Sequence, residues 1–499
     1  MIAKHQIHLG IDLGAESGRV VAGLWDGKTM QLEELHRFPN GSVEIAGTLR
    51  WDVLRLWAEI QNGLTIAGRK FGDAIVSIGV DTWGVDYVLL SKTDELLGMP
   101  FTYRDARTHG LLAETFARVP RAEIFAQSGA QFLEINTLFQ LVAAQRDHPE
   151  ILAAADCFLM IPDFLNWCLT GERAVEFTNA TTTQFCNPAT RGWATELLGA
   201  LDLPTHFLPP IIEPGTKLGG LRDSVSERAG IRGAQVFAPA THDTGSAVAG
   251  VPTRRTGRAD WAYISSGTWS LLGVEIQNAI LTPEVLARNL TNEGGIDGTY
   301  RLLKNIMGLW LVQQCKRSFD TEGKTYDYSE LVQIAEAAPA FRSLINPDDA
   351  RFLSPADMPE AIREFCRETG QPVPDSDGAL VRCCFESLAL MYGVTIRWIE
   401  ELTGERIEVI HIVGGGSRNA LLNQFTADAS GRVVFAGPVE ATVLGNVLVQ
   451  ARARGEIGSL GEMRAVVREC GGVTQFDPRN EAAWAEPRER FGRLVVGAR

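Results

Sequence analysis

The sequence lacks the features that mark several classes of protein. Its 499 residues carry a net charge of −14, so there is no basic excess with which to bind a nucleic-acid backbone. Its eight cysteines form no CxxC pair and are scattered between Cys157 and Cys470, which favours a reduced compartment. No apolar run approaches the roughly 18 residues that a membrane helix needs, and no signal peptide is evident. We expect a cytoplasmic protein that binds neither nucleic acid nor membrane.

Several enzyme classes are excluded by missing motifs. There is no HExxH and no GxSxG, so the zinc hydrolases and the α/β-hydrolases do not fit. Gly-Lys-Thr occurs at 27–29 and at 323–325, as at the end of a Walker A loop. The first glycine of that motif is missing in both places, where Ala22 and Ser318 stand instead.

Periodicity predicts an α/β fold with a mixed sheet. The first residues show strand, turn, strand, turn and strand, followed by a helix over about 51–68 and an apolar β-rich run. The second half repeats this theme at 261–276, adds a helix between Asp375 and Gly404, and then a strand, a glycine turn and a helix. We predict two domains of duplicated architecture, residues 1–250 and 251–499.

Two small turns could bind an anion. "DLGAESGR" at 12–19 follows a strand, and its backbone N–H groups could face a phosphate while Asp12 holds a Mg²⁺ ion. "SSGTW" at 265–269 offers three hydroxyls around Gly267. A plain β-hairpin explains the first turn equally well. The occurrence of one such turn in each half favours a triphosphate ligand.

Two further stretches suggest a ligand of larger size. "VGGGSRN" at 413–419 would let a flat, bulky ligand lie against backbone, although it lacks the GxGxxG spacing of a dinucleotide site. "DTWGVDYVLL" at 81–90 and "YRDART" at 103–108 combine aromatic rings, carboxylates and arginines, which suits a polyhydroxylated ligand. A surface hairpin with salt bridges is the alternative for 81–90.

An imidazole and a carboxylate interrupt the small, apolar stretch "PATHDTGSAVAG" at 239–250. Asp243 could be a helix N-cap, since Gly245, Ser246 and a run of Ala and Val follow it. A carboxylate among closely packed residues is also costly unless it is paired or used. Both interpretations stay open on this stretch alone.

Taken in order, these motifs resemble the FGGY family of carbohydrate kinases. "DLGAESGR", "DTWGVD", "THDTGSA", "SSGTWSL" and "IVGGGSRN" carry the resemblance, which spans about residue 7 to about residue 450. It implies two ribonuclease H-like domains of the actin-type ATPase fold, each a mixed sheet flanked by helices, with the active-site cleft between them.

The resemblance also implies residue roles. Ala15, Glu16, Ser17, Gly18 and Arg19 would form the first ATP phosphate loop, and Thr268 the second. The nucleotide site would be lined by Asn305, Gln313 and Gly415, and the ketose would be contacted by Gly84, His242, Asp243 and Thr244. Asp243 would be the catalytic base and Asp12 a ligand of Mg²⁺. Because Glu16 is acidic, we expect its side chain to point away from phosphate.

The expected reaction is ATP-dependent phosphorylation of L-rhamnulose at its C1 hydroxyl. Phosphoryl transfer needs one group to take the proton of the attacking hydroxyl, and a single carboxylate suffices. L-Fuculose and L-xylulose are alternative substrates, and a non-catalytic sugar or nucleotide sensor is an alternative function. We expect small-molecule partners only, and a monomer or a small homo-oligomer.

Overall fold

The computed structural model describes residues 5–496, which form two compact units. The first unit comprises the chain up to Gly257 together with Glu275–Leu302 and Ala441–Gly471. The second comprises Arg258–Val274, Leu303–Glu440 and the chain from Gly472 onward. These units differ from the predicted division at residue 250, because the chain returns twice to the first unit.

The chain contains 21 strands and 19 α-helices within the described residues. The strands are β1 (Gln6–Leu13), β2 (Ser17–Trp25), β3 (Met30–Pro39), β4 (Ser42–Ile45), β5 (Thr48–Trp51), β6 (Ile75–Thr82), β7 (Tyr87–Leu90), β8 (Cys157–Met160), β9 (Val175–Glu176), β10 (Cys186–Asn187), β11 (Gly192–Trp193), β12 (Ile211–Ile212), β13 (Lys217–Gly220), β14 (Gln235–Phe237), β15 (Trp261–Ser266), β16 (Trp269–Ile276), β17 (Thr291–Gly294), β18 (Tyr300–Met307), β19 (Val409–Val413), β20 (Val433–Ala436) and β21 (Thr474–Phe476). The helices are α1 (Val53–Phe71), α2 (Leu111–Arg118), α3 (Arg121–Ser128), α4 (Thr137–Asp147), α5 (Pro149–Ala154), α6 (Ile161–Thr170), α7 (Phe177–Ala180), α8 (Thr195–Ala200), α9 (Asp223–Ala229), α10 (Asp243–Ala249), α11 (Pro283–Ala287), α12 (Trp310–Thr321), α13 (Tyr328–Ala337), α14 (Met358–Glu368), α15 (Asp377–Thr403), α16 (Ala420–Ser430), α17 (Ala441–Ala453), α18 (Leu460–Cys470) and α19 (Ala485–Val496).

The first unit is built on a six-stranded mixed sheet in the order β13-β14-β6-β1-β2-β3. β1 pairs antiparallel with β2 and parallel with β6, which in turn pairs parallel with β14. The predicted strand–turn–strand–turn–strand beginning is confirmed, and so is the following helix. β1 is buried along most of its length, as expected for a strand with neighbours on both sides.

The second large sheet has seven strands in the order β17-β18-β16-β15-β19-β20-β21, and the six strands from β18 to β21 repeat the connectivity of the first sheet. β15 pairs antiparallel with β16 and parallel with β19, as β1 does with β2 and β6. In the first sheet β6 then pairs parallel with β14, which pairs antiparallel with β13. In the second, β19 pairs parallel with β20, which pairs antiparallel with β21. The α/β class with a mixed sheet is therefore confirmed, and the predicted strand, glycine turn and helix over 409–430 are present.

Buried polar contacts hold the returning segments in the first unit. Arg464 of α18 is fully buried and makes two hydrogen bonds, of 2.8 and 3.0 Å, to the carboxylate of Glu275. The same guanidinium donates to the carbonyl of Val248 at 3.3 Å. A buried arginine needs such compensation, so these contacts join three separate parts of the sequence.

The helix α15 is long and apolar enough, by length and composition alone, to cross a membrane. Charged residues interrupt every uncharged run in it, which is why the sequence shows no continuous apolar segment of that length. In the structure, 89% of its most apolar window is buried inside the protein. It is a core helix of the second unit that begins at Asp377, with Gly404 as its C-cap, as predicted.

Helix α10, which begins at Asp243, lies in backbone contact with α17. A Cβ atom on Gly445 of α17 would lie 1.8 Å from the carbonyl oxygen of Ser246. A Cβ atom on Gly250 would lie 2.2 Å from the carbonyl oxygen of Ala441. Glycine is therefore required at both positions by close approach of the two backbones.

We expect Gly445→Ala to lower the free energy of unfolding by about 3 kcal/mol, because the added methyl group must push α10 away from α17. Urea denaturation of the purified variant measures this. The matched control is Gly199→Ala in α8, where a Cβ atom meets nothing within 4 Å. The control should be as stable as the parent or slightly more so. Equal stability of the two variants would contradict the packing argument.

Candidate functional site

Three polar residues of the first unit lie side by side across adjacent strands. In the β1–β2 pairing Asp12 is opposite Arg19, and in the β1–β6 pairing Asp12 is opposite Asp81. One residue further along β6, Thr82 forms a parallel bridge with His242. Because the parallel strands end at the same edge of the sheet, residues distant in the sequence meet there. Ligands of open α/β sheets commonly bind at this edge.

The carboxylate of Asp12 is held by Arg19. The Nε and Nη2 atoms of Arg19 donate to Oδ2 of Asp12 at 2.9 and 2.8 Å. Both side chains are mostly buried, so the guanidinium fixes the direction of this carboxylate. Asp12 was predicted to bind Mg²⁺, and Arg19 to belong to a phosphate loop; the structure places them in one ion pair.

Asp81 is fully buried next to Asp12. Its Oδ2 accepts a hydrogen bond of 2.5 Å from the side-chain amide of Asn446 in α17. Its Oδ1 has no hydrogen-bond partner within residues 5–496. Burial, reinforced by the charge of Asp12, raises the pKa of Asp81 well above its usual range. A positive charge at this position would favour the ionised carboxylate.

The donor set fits a magnesium ion. Mg²⁺ is commonly held by one or two carboxylates, with phosphate oxygens and waters completing its coordination. Asp12 and the unpartnered oxygen of Asp81 supply such carboxylates. In the described part of the chain no group of three or more His, Cys, Asp or Glu could hold a metal ion without help from a substrate.

Asp243 is the first residue of α10, and the predicted N-cap role is wrong. His242 occupies the N-cap position, with extended backbone and no side-chain capping bond. The Oδ1 atom of Asp243 accepts hydrogen bonds from the backbone and the hydroxyl of Thr244, at 2.6 and 3.2 Å. The Asp243 side chain remains 31% exposed. Burial of the remainder, together with the charge of Asp12, raises its pKa.

His242 lies between two carboxylates. Its Nε2 is 3.5 Å from Oδ1 of Asp243, and its Nδ1 is 3.2 Å from Oε2 of Glu293. Arg301, which is fully buried, contacts the same Oε2 at 3.2 Å and lies 3.3 Å from Nδ1. The imidazole is therefore fixed by a buried ion pair on one side, and its other nitrogen faces the candidate base.

The turn before His242 is organised by another buried acid. Glu176 accepts hydrogen bonds from the backbone and the hydroxyl of Thr241, both at 2.8 Å. Thr178, which also donates to Glu176, accepts a hydrogen bond from the backbone N–H of His242 at 3.1 Å. These bonds fix the backbone at Thr241 and His242, and thereby the position from which the His242 imidazole and Asp243 extend.

Gly84 packs tightly against the segment 178–184. A Cβ atom at Gly84 would lie 2.9 Å from Cγ2 of Thr182. The hydroxyl of Thr182 accepts a hydrogen bond of 3.0 Å from the backbone of Val85, which has a positive φ of 67°. Glycine is therefore required at this position by a close approach of the chain, whether or not a ketose lies against it.

The surface-hairpin alternative for 81–90 is wrong. Asp86 is fully buried, and β7 pairs with β8 rather than with the preceding strand. The Asp86 carboxylate accepts hydrogen bonds from the indoles of Trp51 and Trp83 at 2.6 and 3.0 Å and from the amide of Gln140 at 2.9 Å. Burial raises the pKa of Asp86 to about 6. Asp86 therefore anchors the loop that carries Gly84.

The turn between β1 and β2 is compact. The backbone N–H of Gly14 donates to the carbonyl of Ser17 at 2.9 Å, and Asn40 donates to the carbonyl of Gly14 at 2.8 Å. Ala15 and Ser17 are half-buried and Gly18 is buried, whereas Glu16 is exposed. A Cβ atom on Gly18 would lie 2.3 Å from the ring of Phe38.

In the second unit, the turns after β15 and β19 lie together. Ser265 is opposite Val413 in the parallel pairing, so Gly267 and Thr268 follow one strand as Gly414–Gly416 follow the other. A Cβ atom on Gly416 would lie 2.0 Å from Oγ of Ser266, whereas one on Gly415 would meet nothing within 4 Å. Gly416 serves packing, and the face of Gly415 is open.

The other predicted nucleotide residues border the same turns. The backbone N–H of Trp310, the first residue of α12, donates to the carbonyl of Thr268 at 3.0 Å. Gln313 lies in the first turn of α12, and its buried Oε1 has no hydrogen-bond partner in the described chain. Asn305 lies two residues before the end of β18. Thr268, Gln313 and Gly415 thus belong to one neighbourhood of the second unit.

Comparison with known proteins identifies the family. Residues 7–250 match the N-terminal domain, and residues 262–454 the C-terminal domain, of the FGGY family of carbohydrate kinases. The chain belongs to this family. It is 46% identical over 96% of its length, and 97% of the relative, to a protein named rhamnulokinase in Bacteroides thetaiotaomicron. It is 44% identical to the rhamnulokinase of Pectobacterium atrosepticum, over 97% of this chain and 96% of that one.

Solved structures agree with the fold. The ligand-bound xylulose kinase of Lactobacillus acidophilus matches with a TM-score of 0.81 at 15% identity, over 98% of this chain and 97% of that one. At this identity the match shows the fold alone, which is that of an FGGY sugar kinase with the actin-type ATPase architecture. As a member of the FGGY family, the chain is a phosphotransferase, and the kinase family implies ATP and typically Mg²⁺.

Sequence reasoning missed three residues of this FGGY site: Glu293, Arg301 and Asn446. A signal was present, because Glu293 and Arg301 are charges within short strands that are otherwise buried. An unpaired charge in such a strand is rare, so two of them nearby suggest an ion pair.

We expect Glu293→Gln to lower the free energy of unfolding by about 3–5 kcal/mol, because the buried Arg301 would lose its counter-charge. Urea denaturation measures this loss. Asp202→Asn is the matched control, since it breaks an exposed ion pair with Arg118 and should cost less than about 1 kcal/mol. If both variants unfold at the same urea concentration, the pair does not stabilise the site.

Proposed function

We propose that this FGGY kinase transfers the γ-phosphoryl group of ATP to the C1 hydroxyl of L-rhamnulose, giving L-rhamnulose 1-phosphate and ADP. The observation that carries the proposal is the partly exposed carboxylate of Asp243, next to Asp12 and Asp81 at the carboxyl ends of parallel strands. The names of the relatives at 46% and 44% identity support the choice of substrate.

Asp243 would act as the general base. The C1 oxygen forms its bond to the γ-phosphorus as the bond to the β-phosphate oxygen breaks, and Asp243 takes the hydroxyl proton. A raised pKa makes this carboxylate a better proton acceptor than a fully solvated aspartate. The contacts to Thr244 keep its Oδ1 in place, which leaves Oδ2 for the substrate.

The ketose would be bound by the first unit. His242, held by Glu293 and Arg301, can offer a fixed Nε2 to a sugar oxygen next to Asp243. Gly84 would allow the sugar to approach the backbone beside the Asp86 anchor. Thr244 would complete this set from the first turn of α10.

Each unit would offer its own set of donors to a nucleotide. The backbone of Ala15, Glu16, Ser17 and Gly18 would face phosphate oxygens, and the exposed Glu16 side chain is compatible with pointing away from them. Thr268 would supply the second phosphate contact. Asn305, Gln313 and the open face of Gly415 would line the nucleotide, and the unpartnered Oε1 of Gln313 is suited to accept a hydrogen bond from it.

Asp12 and Asp81 would hold Mg²⁺, which supplies positive charge to offset the charge developing on the phosphoryl oxygens. Arg19 holds the Asp12 carboxylate in a fixed direction. Asn446 fixes Asp81 from the other side, leaving the oxygen without a partner for a ligand.

We place the reaction in the cytoplasm. All eight cysteines are free thiols, seven of them at least partly buried, which is usual for a reduced compartment. Binding of small molecules alone, and a monomeric or small homo-oligomeric state, remain predictions.

The deciding experiment is a coupled ADP-release assay with ATP, Mg²⁺ and a panel of ketoses. We expect turnover on L-rhamnulose and much slower turnover on L-fuculose, L-xylulose, L-ribulose and D-fructose, with glycerol as the non-ketose control. Faster turnover on another ketose would keep the kinase activity and move the specificity. No turnover on any substrate, from folded protein that binds ATP, would favour the sensor function.

Asp243→Asn should lower kcat by at least about 10²–10⁴-fold, because the amide cannot accept the proton. Sugar binding, measured by calorimetry, should persist, since the amide keeps the size and an oxygen for Thr244. Asp202→Asn is the matched surface control and should leave kcat unchanged. Turnover of Asp243→Asn near that of the control would refute the assignment of the base.

A further inference from the structure

A cavity of about 560 Å³ opens in the first unit. None of the residues proposed to contact ATP or ketose lines it. Its walls come from the β4–β5 hairpin, β7, the segment 97–101 and the helices α4 and α5. Most of the lining side chains are apolar, among them Leu89, Leu97, Pro100, Ile151 and Leu152. The volume is in the range of pockets that bind small organic molecules.

Two arginines line this apolar cavity. The Cζ atom of Arg50 is 3.3 Å, and that of Arg107 3.7 Å, from the ring centroid of Phe101. At these distances the two guanidinium groups must lie on opposite faces of the ring. Both cations and the ring between them belong to the cavity lining. The wall therefore combines an apolar surface with two positive charges.

Neither arginine has an acidic side chain within ion-pair distance among residues 5–496. Arg50 donates to the carbonyl of Met99 at 2.7 Å and to the hydroxyl of Thr48 at 3.1 Å. Arg107 donates to the amide oxygen of Gln140 at 2.8 Å, while its Nε is buried and has no hydrogen-bond partner in the described chain. Their side-chain hydrogen-bond partners are neutral, and the charge of Asp105 offsets only part of the charge of Arg50.

The environment makes this pair of charges costly. Burial lowers the pKa of Arg50 and the nearby charge of Arg107 lowers it further, whereas the charge of Asp105 opposes the shift. A bound anion would offset both effects, since it supplies the missing opposite charge and hydrogen-bond acceptors.

We propose that this cavity binds a small amphipathic anion, with an apolar or aromatic body against the aliphatic wall and one carboxylate, sulfonate or phosphate group beside the guanidinium group of Arg50. The planar guanidinium groups suit oxyanions of this kind. A neutral apolar ligand would leave the arginines uncompensated, and a strongly hydrophilic anion would not fill the apolar walls. The site is independent of the proposed kinase reaction.

Arg50 is the better position for a test. Arg107 is connected to the proposed sugar loop, since its partner Gln140 also donates to Asp86. Arg50 bonds only the β4–β5 hairpin and the adjoining segment, so a change there should leave the Asp86 network intact. Leu97 is half-buried at the cavity wall, where a larger side chain would reduce the volume.

The probe is 1-anilinonaphthalene-8-sulfonate, an aromatic anion whose fluorescence rises in apolar surroundings, and its neutral counterpart is N-phenyl-1-naphthylamine. Both are titrated into the full chain with saturating ADP and Mg²⁺, so that the proposed nucleotide site does not compete. We expect saturable binding of one equivalent of the anion. Arg50→Gln should weaken it about tenfold, Arg50→Lys should weaken it less, and neither should change binding of the neutral probe.

Leu97→Trp should weaken both probes, because it occupies the cavity. Arg228→Gln is the charge-matched control in the same unit; Arg228 bonds Gln61 outside the cavity, and its loss should change neither probe. The proposal is overturned if the parent shows no saturable binding, or if Arg50→Gln weakens the anion no more than Arg228→Gln. It is also overturned if Leu97→Trp, with unchanged thermal unfolding, leaves anion binding intact.

Discussion

The site of the first unit depends on the register between parallel strands. β1 and β6 are aligned so that Asp12 and Asp81 are opposite each other, and the bridge between Thr82 and His242 continues the row to Asp243. This alignment brings three carboxylates together at one edge of a sheet. Like charges in partly buried surroundings repel, so the rest of the local structure must supply compensation.

That compensation explains why the unit is not one continuous stretch of chain. Arg19, next along the sheet, balances Asp12 from within the first hairpin. The other partners come from far away in the sequence. The segment 275–302 brings Glu293 and Arg301 to His242, and α17 brings Asn446 to Asp81. The segments by which the chain returns to the first unit are therefore the ones that complete the site.

The elements that could be predicted from sequence are those with a local signal. Alternating strands, glycine turns and the cap at Gly404 gave the fold class and the positions of the first elements of each half and of the elements over 377–430, and "THDTGSA" pointed to Asp243. The interpretation of Asp243 as a helix N-cap was wrong, since His242 is the N-cap residue of α10. The contacts of Glu293 with His242 and of Asn446 with Asp81 could not be predicted, because they depend on strand register and helix packing across more than 50 residues of sequence. The sequence singled out Asp86, but whether its carboxylate faced a ligand or the donors of Trp51, Trp83 and Gln140 depended on the tertiary structure.

The repeated connectivity of the two sheets indicates what each unit contributes chemically. In each unit two turns lie at the same edge of the sheet. One is the hairpin turn after β1 or β15, and the other follows the parallel neighbour of that strand, β6 or β19. In the first unit this edge carries carboxylates, which suit proton transfer and a cation. In the second it carries hydroxyls and glycines, with Gly416 fixed by Ser266 and Gly415 open. One scaffold thus presents an acidic edge and a neutral, backbone-rich edge. That division fits a reaction in which one ligand must lose a proton and the other brings its own negative charge.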